Sequence, residues 1–174
     1  MKAFVIAETE SAARELCAGA RTLADEVVLA KLGAPVTGVA DKCLTIAVPE
    51  GAVADDAYVA VNAAFDAEGA SVVLAEPAAR ILSLVGRLAA HLGTSAITDI
   101  QSIEGGVATS MYFGGAGVRQ AKASGDVAVY TVTAGTFDAA SATGTDTVEE
   151  LAWQAPASAL VKTGSEELPP SDVN

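Results

Sequence analysis

Histidine, cysteine and aromatic residues are scarce in this chain. Its 174 residues include one histidine, two cysteines and 5% aromatics. A zinc site needs several cysteine or histidine ligands at suitable spacing, and the sequence has no such set. A Ser-His-Asp or Cys-His arrangement would have to use His91, which falls at the end of a predicted helix, where a capping or solvated role is expected. The sequence therefore offers no constellation for nucleophilic catalysis or zinc binding.

Basic residues are also few, with 10 lysines and arginines against 22 aspartates and glutamates and a net charge of −12. The phosphates of nucleic acids and of anionic membranes repel such a surface. No apolar run reaches the roughly 18–20 residues of a membrane helix, and the run at Ala3–Ala7 is too short for a secretory signal. We therefore expect a cytoplasmic protein that binds neither nucleic acid nor membranes, with Cys17 and Cys43 reduced and buried.

Hydrophobic residues are abundant, at 51% of the chain, and in its first half they form short apolar runs that alternate with helical patterns. The predicted strands are 2–8, 26–30, 44–48 and 71–75, and the predicted helices are about 11–24, from Asp55 and Asp56 to Gly69, and from Pro77 to Gly93. Strands that alternate with helices are typical of a parallel sheet covered on both faces. We expect an α/β fold, a three-layer Rossmann-like parallel sheet of the adenine-nucleotide-hydrolase-like kind.

The second half has a different pattern, in which predicted strands are joined by glycine-rich turns. These strands are 96–103, 107–113, 117–121 and 127–132, and a helical period returns only near 147–153. This half is expected to be antiparallel and rich in hairpins, added to the parallel half. The stretch 163–174 is polar and proline-rich and predicts a linker or tail, so the domain is expected to span residues 1–162.

One glycine-rich stretch, MYFGGAGVRQ at 111–120, is a weak candidate for a cofactor loop through Gly114, Gly115 and Gly117. A dinucleotide fingerprint needs a strand, a glycine-rich turn and then a helix, because the helix N-terminus carries the phosphate. Here the glycines are followed by a predicted turn and strand, and GGAG does not have the GxGxxG spacing. A bend or bulge in a strand is the favoured interpretation.

The segment RILSLVGRLAAHLGTSAITDIQSIEGG at 80–106 resembles the α subunit of electron-transfer flavoproteins. The pattern R-x-A-A-x-L is matched at Arg87–Leu92, x-x-x-x-D-I at Ala96–Ile100, and x-Y-x-G-G-A at Met111–Ala116. The resemblance covers about residues 1–160, and its Gly-Gly-Ala form is closer to the carnitine- and anaerobic-metabolism type. One departure is Thr133, where the family often has an arginine, so any contact of that arginine is absent.

The resemblance implies the N-terminal domain of such a subunit, which packs against a β-type subunit and supplies scaffold and partner surface. In that family most FAD contacts come from a second, C-terminal domain, which we expect to be absent here, so no cofactor is expected on this chain alone. Tyr112, Phe113 and Trp153 are candidates for the partner interface, with burial in the core favoured for each. A homodimer through the same residues is the fallback.

An alternative is a stand-alone adenine-nucleotide-binding protein with the universal-stress-like fold, which has the same α/β layout. That class places a glycine-rich phosphate loop late in the chain, and the sequence lacks one. The scaffold and partner-binding hypothesis is therefore preferred.

Overall fold

A computed structural model describes residues 1–145, 147–157 and 160–167. The described residues form one nine-stranded sheet and three α-helices. In chain order these are β1 (Lys2–Ala7), α1 (Glu10–Arg21), β2 (Glu26–Leu32), β3 (Lys42–Ile46), α2 (Tyr58–Glu68), β4 (Val72–Ala75), α3 (Ala79–His91), β5 (Ala96–Glu104), β6 (Val107–Tyr112), β7 (Gly117–Lys122), β8 (Ala128–Val132) and β9 (Thr147–Leu151). Each helix in this part of the chain is too short or too polar to span a lipid bilayer.

The sheet has the order β7-β6-β5-β8-β4-β1-β2-β3-β9, and its centre is parallel. Alternate residues of β1 enter two separate apolar clusters: Ala3 and Val5 pack with α1, whereas Phe4 and Ile6 pack with α2 and α3. A strand buried on both faces needs a continuous apolar sequence, which is what AFVIA supplies. The predicted three-layer α/β fold is confirmed.

The second half differs from its prediction in two ways. Only β5, β6 and β7 form antiparallel pairs, because β8 inserts between β4 and β5 and is parallel to both. The helix predicted near 147–153 is wrong: Thr147–Leu151 is β9, a parallel edge strand beside β3. The open edge of β3 offers backbone partners, and Lys42 pairs with Glu149 at 3.2 Å, so tertiary pairing overrides a weak helical pattern.

The connection from β8 to β9 crosses the outer side of α1, so that helix is buried between the sheet and this connection. Phe137 lies against Gly19, where a Cβ would overlap its ring. The carboxylate of Glu15 accepts hydrogen bonds from the backbone N–H groups of Thr136 at 2.8 Å and Phe137 at 3.3 Å. These contacts fix the connection beside the carboxyl ends of the parallel strands.

Candidate functional site

The carboxyl ends of β1 and β4 form the crevice where open α/β sheets bind ligands. The chain leaves β1 toward β2 on one side, and β4 pairs with β1 on the other, which makes this the switch point of the sheet. A cavity of about 250 Å³ opens here between the start of α1 and the residues after β4 and β8. Its polar lining includes Thr9, Glu15 and Glu76. This cavity is the first place to look for a nucleotide.

The carboxylate of Glu76, only 8% exposed, lies in this crevice beside the start of α1. Its Oε2 accepts hydrogen bonds from the backbone N–H groups of Glu8 at 2.7 Å and Thr9 at 3.0 Å, and its Oε1 accepts one from the Thr9 hydroxyl at 2.9 Å. Thr9 is also the N-cap of α1 and accepts from the N–H of Ala12 at 3.2 Å. Backbone donors at a helix start hold phosphate in nucleotide-binding folds, and here the N–H groups of Glu8 and Thr9, just before the helix, already bind a carboxylate.

A buried lysine holds the same turn from the neighbouring strand. The Nζ of Lys31 donates to the carbonyl oxygens of Glu8 and Leu32, both at 2.6 Å. Burial lowers the pKa of Lys31, and the negative charge of Glu76 opposes that shift. Glu15 adds a second carboxylate to the cavity wall. The negative charge of the two carboxylates disfavours binding of phosphate or any other anion in the cavity.

The single histidine lies on the surface, away from this crevice. The Nε2 of His91 is 2.9 Å from a carboxylate oxygen of Asp66, which joins the ends of α3 and α2. Cys17 and Cys43 are both buried, as predicted. In residues 1–145, 147–157 and 160–167, no group of three or more His, Cys, Asp and Glu side chains is arranged to hold a metal ion.

The three glycines of the MYFGGAGVRQ stretch lie in the turn between β6 and β7. Gly114 and Gly115 have φ angles of 63° and 94°, which glycine adopts without strain, and Gly117 opens β7 opposite Tyr112. A strand follows them rather than a helix, so the helix N-terminus that a dinucleotide loop requires is absent from this position. Their lack of a role in cofactor binding stays a prediction.

The hairpin of β6 and β7 carries a cluster of exposed apolar side chains, which we call the hairpin surface. Its members and their exposed fractions are Met111 (48%), Tyr112 (45%), Phe113 (85%) and Val118 (65%). Burial of Tyr112 and Phe113 in the core, the favoured expectation, is therefore wrong. Their position on an edge hairpin leaves both faces of the turn in solvent, and the two rings make an edge-to-face contact at 5.4 Å.

Trp153 does not join the hairpin surface. It follows β9 at the opposite edge of the sheet and is partly buried against the cluster formed by α2 and α3. The structure thus brings two of the three interface candidates together and separates the third.

The charge around the hairpin surface departs from that of the whole chain. Residues 105–125 contain no aspartate or glutamate and two basic residues, Arg119 and Lys122, in a chain of net charge −12. The guanidinium of Arg119 lies 5.7 Å from the centre of the Tyr112 ring. An apolar, non-acidic patch on an otherwise acidic protein is typical of an interaction site.

Sequence reasoning missed two polar features of these sites. Glu76 has a local signal, since it is an acidic residue directly after a buried strand and before Pro77. Asp99 lies in an irregular part of β5, where the register against β8 shifts between Ile97 and Ile100, and no pattern in the sequence predicts that irregularity.

Comparison with known proteins gives a consistent result. The family described as Electron transfer flavoprotein domain matches residues 4–157. Two curated relatives, both named electron transfer flavoprotein subunit alpha and from Mycobacterium tuberculosis strains CDC 1551 and H37Rv, are each 40% identical over 77 residues. Those residues are 44% of this chain and 24% of each relative, so the match spans about a quarter of their length. The chain belongs to the electron transfer flavoprotein family.

Proposed function

We propose that this chain is the N-terminal domain of an α subunit of the carnitine- and anaerobic-metabolism type, spanning residues 1–162, with 163–174 as a linker or tail. It works in the cytoplasm as a scaffold and partner-binding domain that docks a β-type subunit. It supports electron transfer through an FAD that is held mainly by a further domain. The family match over residues 4–157 supports an electron-transfer role rather than catalysis by this chain.

The hairpin surface is the observation that carries the proposal. Four of the nine large hydrophobic residues that are exposed in the described part of the chain lie within residues 111–118. Burial of such a cluster against a partner removes apolar area from water, at about 25 cal/mol per Å². The hairpin residues 105–125 include no aspartate or glutamate, so the one acidic side chain among the described residues that line the cavity at this patch is Asp99.

The alternative, a stand-alone adenine-nucleotide-binding protein, is disfavoured by the crevice itself. Glu76 already accepts from the backbone N–H groups of Glu8 and Thr9 beside the start of α1, and the cavity wall carries a second carboxylate. A phosphate that bound these two N–H groups would have to displace a buried, hydrogen-bonded side chain of its own charge sign.

The experiment is size-exclusion chromatography of the chain with the β-type subunit from the same genome, at micromolar concentration. We expect one complex, and we expect it to be lost when Tyr112 and Phe113 are both replaced by serine. Leu82→Ser on α3 and Val148→Ser on β9 are matched controls, since both side chains are exposed and apolar but lie away from the hairpin. Separate elution of the two wild-type proteins contradicts the proposal.

Calorimetric titration with FAD and with ATP tests whether this chain alone binds a cofactor. We expect no binding of either. Tight binding of ATP would restore the nucleotide-binding alternative, and tight binding of FAD would assign the glycines of the hairpin turn a role in cofactor binding.

A further inference from the structure

Phe113 of the hairpin surface and Asp99 beside it have a backbone conformation that side chains rarely adopt. Asp99 and Phe113, with φ angles of 55° and 51°, are the non-glycine residues of positive φ within the described parts of the chain. Both line one surface cavity of about 330 Å³, together with Thr98, Ser110, Met111 and Tyr112. Strained residues persist where surrounding contacts impose them, and they concentrate at functional sites.

Buried hydroxyl groups impose the conformation of Asp99. The side chain of Thr131, fully buried, accepts the backbone N–H of Asp99 at 3.0 Å. The hydroxyl of Ser110, 2% exposed, donates to the carbonyl oxygen of Thr98 at 3.0 Å. Both buried hydroxyls therefore hold the bulge in β5 that turns Asp99 outward.

The carboxylate of Asp99 has no hydrogen-bond or ion-pair partner within the described residues. Among the described residues it is the one acidic residue that lines this cavity, beside Phe113, which is 85% exposed, and Tyr112, whose ring has the guanidinium of Arg119 at 5.7 Å. A carboxylate next to aromatic faces is the chemistry that recognises a cationic side chain, by an ion pair and by cation–π contact.

We propose that this cavity, the Asp99 pocket, receives an arginine or lysine side chain of the β-type subunit when the two chains associate. The inference rests on the proposed partner-binding function and names its charged contact. A second copy of this chain fits less well, because each copy carries a net charge of −12 and the two would repel.

The test compares the wild type with Asp99→Asn in calorimetric binding to the purified β-type subunit at low and high salt. Asparagine keeps the shape of the side chain and tolerates positive φ, so the substitution removes the charge and leaves the bulge. Asp126→Asn is the matched control, since Asp126 is exposed and lies before the start of β8, whereas Thr131, which contacts Asp99, lies near the end of that strand. Thermal unfolding of each variant checks that all three proteins are equally folded.

We expect Asp99→Asn to weaken binding roughly tenfold or more at low salt, with a smaller effect at high salt, and Asp126→Asn to change it less than twofold. Equal affinity of wild type and Asp99→Asn overturns the inference and leaves the partner-binding function standing. No binding by the wild type overturns both. A homodimer whose dissociation constant rises in Asp99→Asn would assign the pocket to a second copy and also overturn the inference.

Discussion

Removal of the Glu76 carboxylate is the sharpest test of how the crevice is built. Glu76→Ala deletes the acceptor of three hydrogen bonds, two of them from backbone N–H groups at the start of α1. It also takes a negative charge away from the neighbourhood of Lys31, a buried cation. The donors that remain have no replacement side chain, so they must turn to water in the adjoining cavity or stay unsatisfied.

The size of the effect follows from these contacts. A hydrogen bond to a charged acceptor contributes about 1.5–3 kcal/mol, and each donor left unsatisfied costs about 1–3 kcal/mol. The 250 Å³ cavity admits water to the vacated position, so each of the three donors should cost only about 1 kcal/mol, which gives a loss of about 3 kcal/mol in the free energy of unfolding. For a domain of this size that corresponds to a fall in Tm of roughly 6–12 °C. Glu76→Gln keeps the shape and one oxygen, and should cost only about 1 kcal/mol.

The assay measures Tm by thermal unfolding in sodium acetate and in sodium phosphate. Each is compared with a sodium chloride control of equal ionic strength. A small anion that enters the vacated position should raise the Tm of Glu76→Ala in a saturable way, as ligand binding to the native state does. Neither anion should stabilise the wild type or Glu76→Gln beyond the salt control. A Tm of Glu76→Ala equal to that of the wild type would show that the Glu76 carboxylate does not stabilise the crevice. Stabilisation of the wild type by phosphate as large as that of Glu76→Ala would show that Glu76 does not occupy the anion position.

Two further predictions concern the connection across α1 and the loop before β3. Gly144→Ala places a Cβ on the backbone of Ala40 and should destabilise the fold by about 2 kcal/mol. Gly86→Ala is the comparison, because its Cβ meets no neighbour and it should stabilise α3 by up to about 1 kcal/mol. Urea unfolding measures the free energy of unfolding of both variants. The guanidinium of Arg21 lowers the pKa of Asp41 below its ordinary 3.8. The stabilisation is therefore present above that pH and is lost as pH falls through the lowered pKa. The difference in unfolding free energy between wild type and Asp41→Asn should be largest near neutral pH and shrink below pH 3.8, and a pH-independent difference would contradict the pairing.

The parallel core could be predicted from the sequence because its signals are local. The apolar run of β1, the cap at Thr9 and the stop at Gly69 each specify an element within a few neighbouring residues, and the structure has these elements. The position of β9 could not be predicted in the same way. TVEEL has no buried alternation, and its five residues become a strand only because β3 has an open edge beside them.

The candidate sites were harder to predict for the same reason. Gly114 and Gly115 identify the hairpin turn from the sequence, but exposure of Phe113 depends on where the sheet ends, which is a property of the topology. The contact of Glu76 with Glu8 joins residues 68 positions apart, and no local pattern encodes it.

Among the described residues, polar groups are paired within the chain at the crevice, but the Asp99 carboxylate at the hairpin is not. This contrast favours binding of a protein partner at the hairpin over binding of a small ligand in the crevice. At the crevice, Glu76 accepts from the N–H groups of Glu8 and Thr9, and Lys31 donates to the carbonyl oxygen of Glu8. At the hairpin, the buried hydroxyls of Thr131 and Ser110 instead maintain a bulge in which the Asp99 carboxylate has no partner among the described residues, and αL backbone at a non-glycine residue costs about 1–3 kcal/mol. The hydrogen bonds of these hydroxyls hold the conformation in the isolated domain. A complementary charge on a second subunit would give the carboxylate a partner at little further ordering cost, because the backbone that carries it is already held in place.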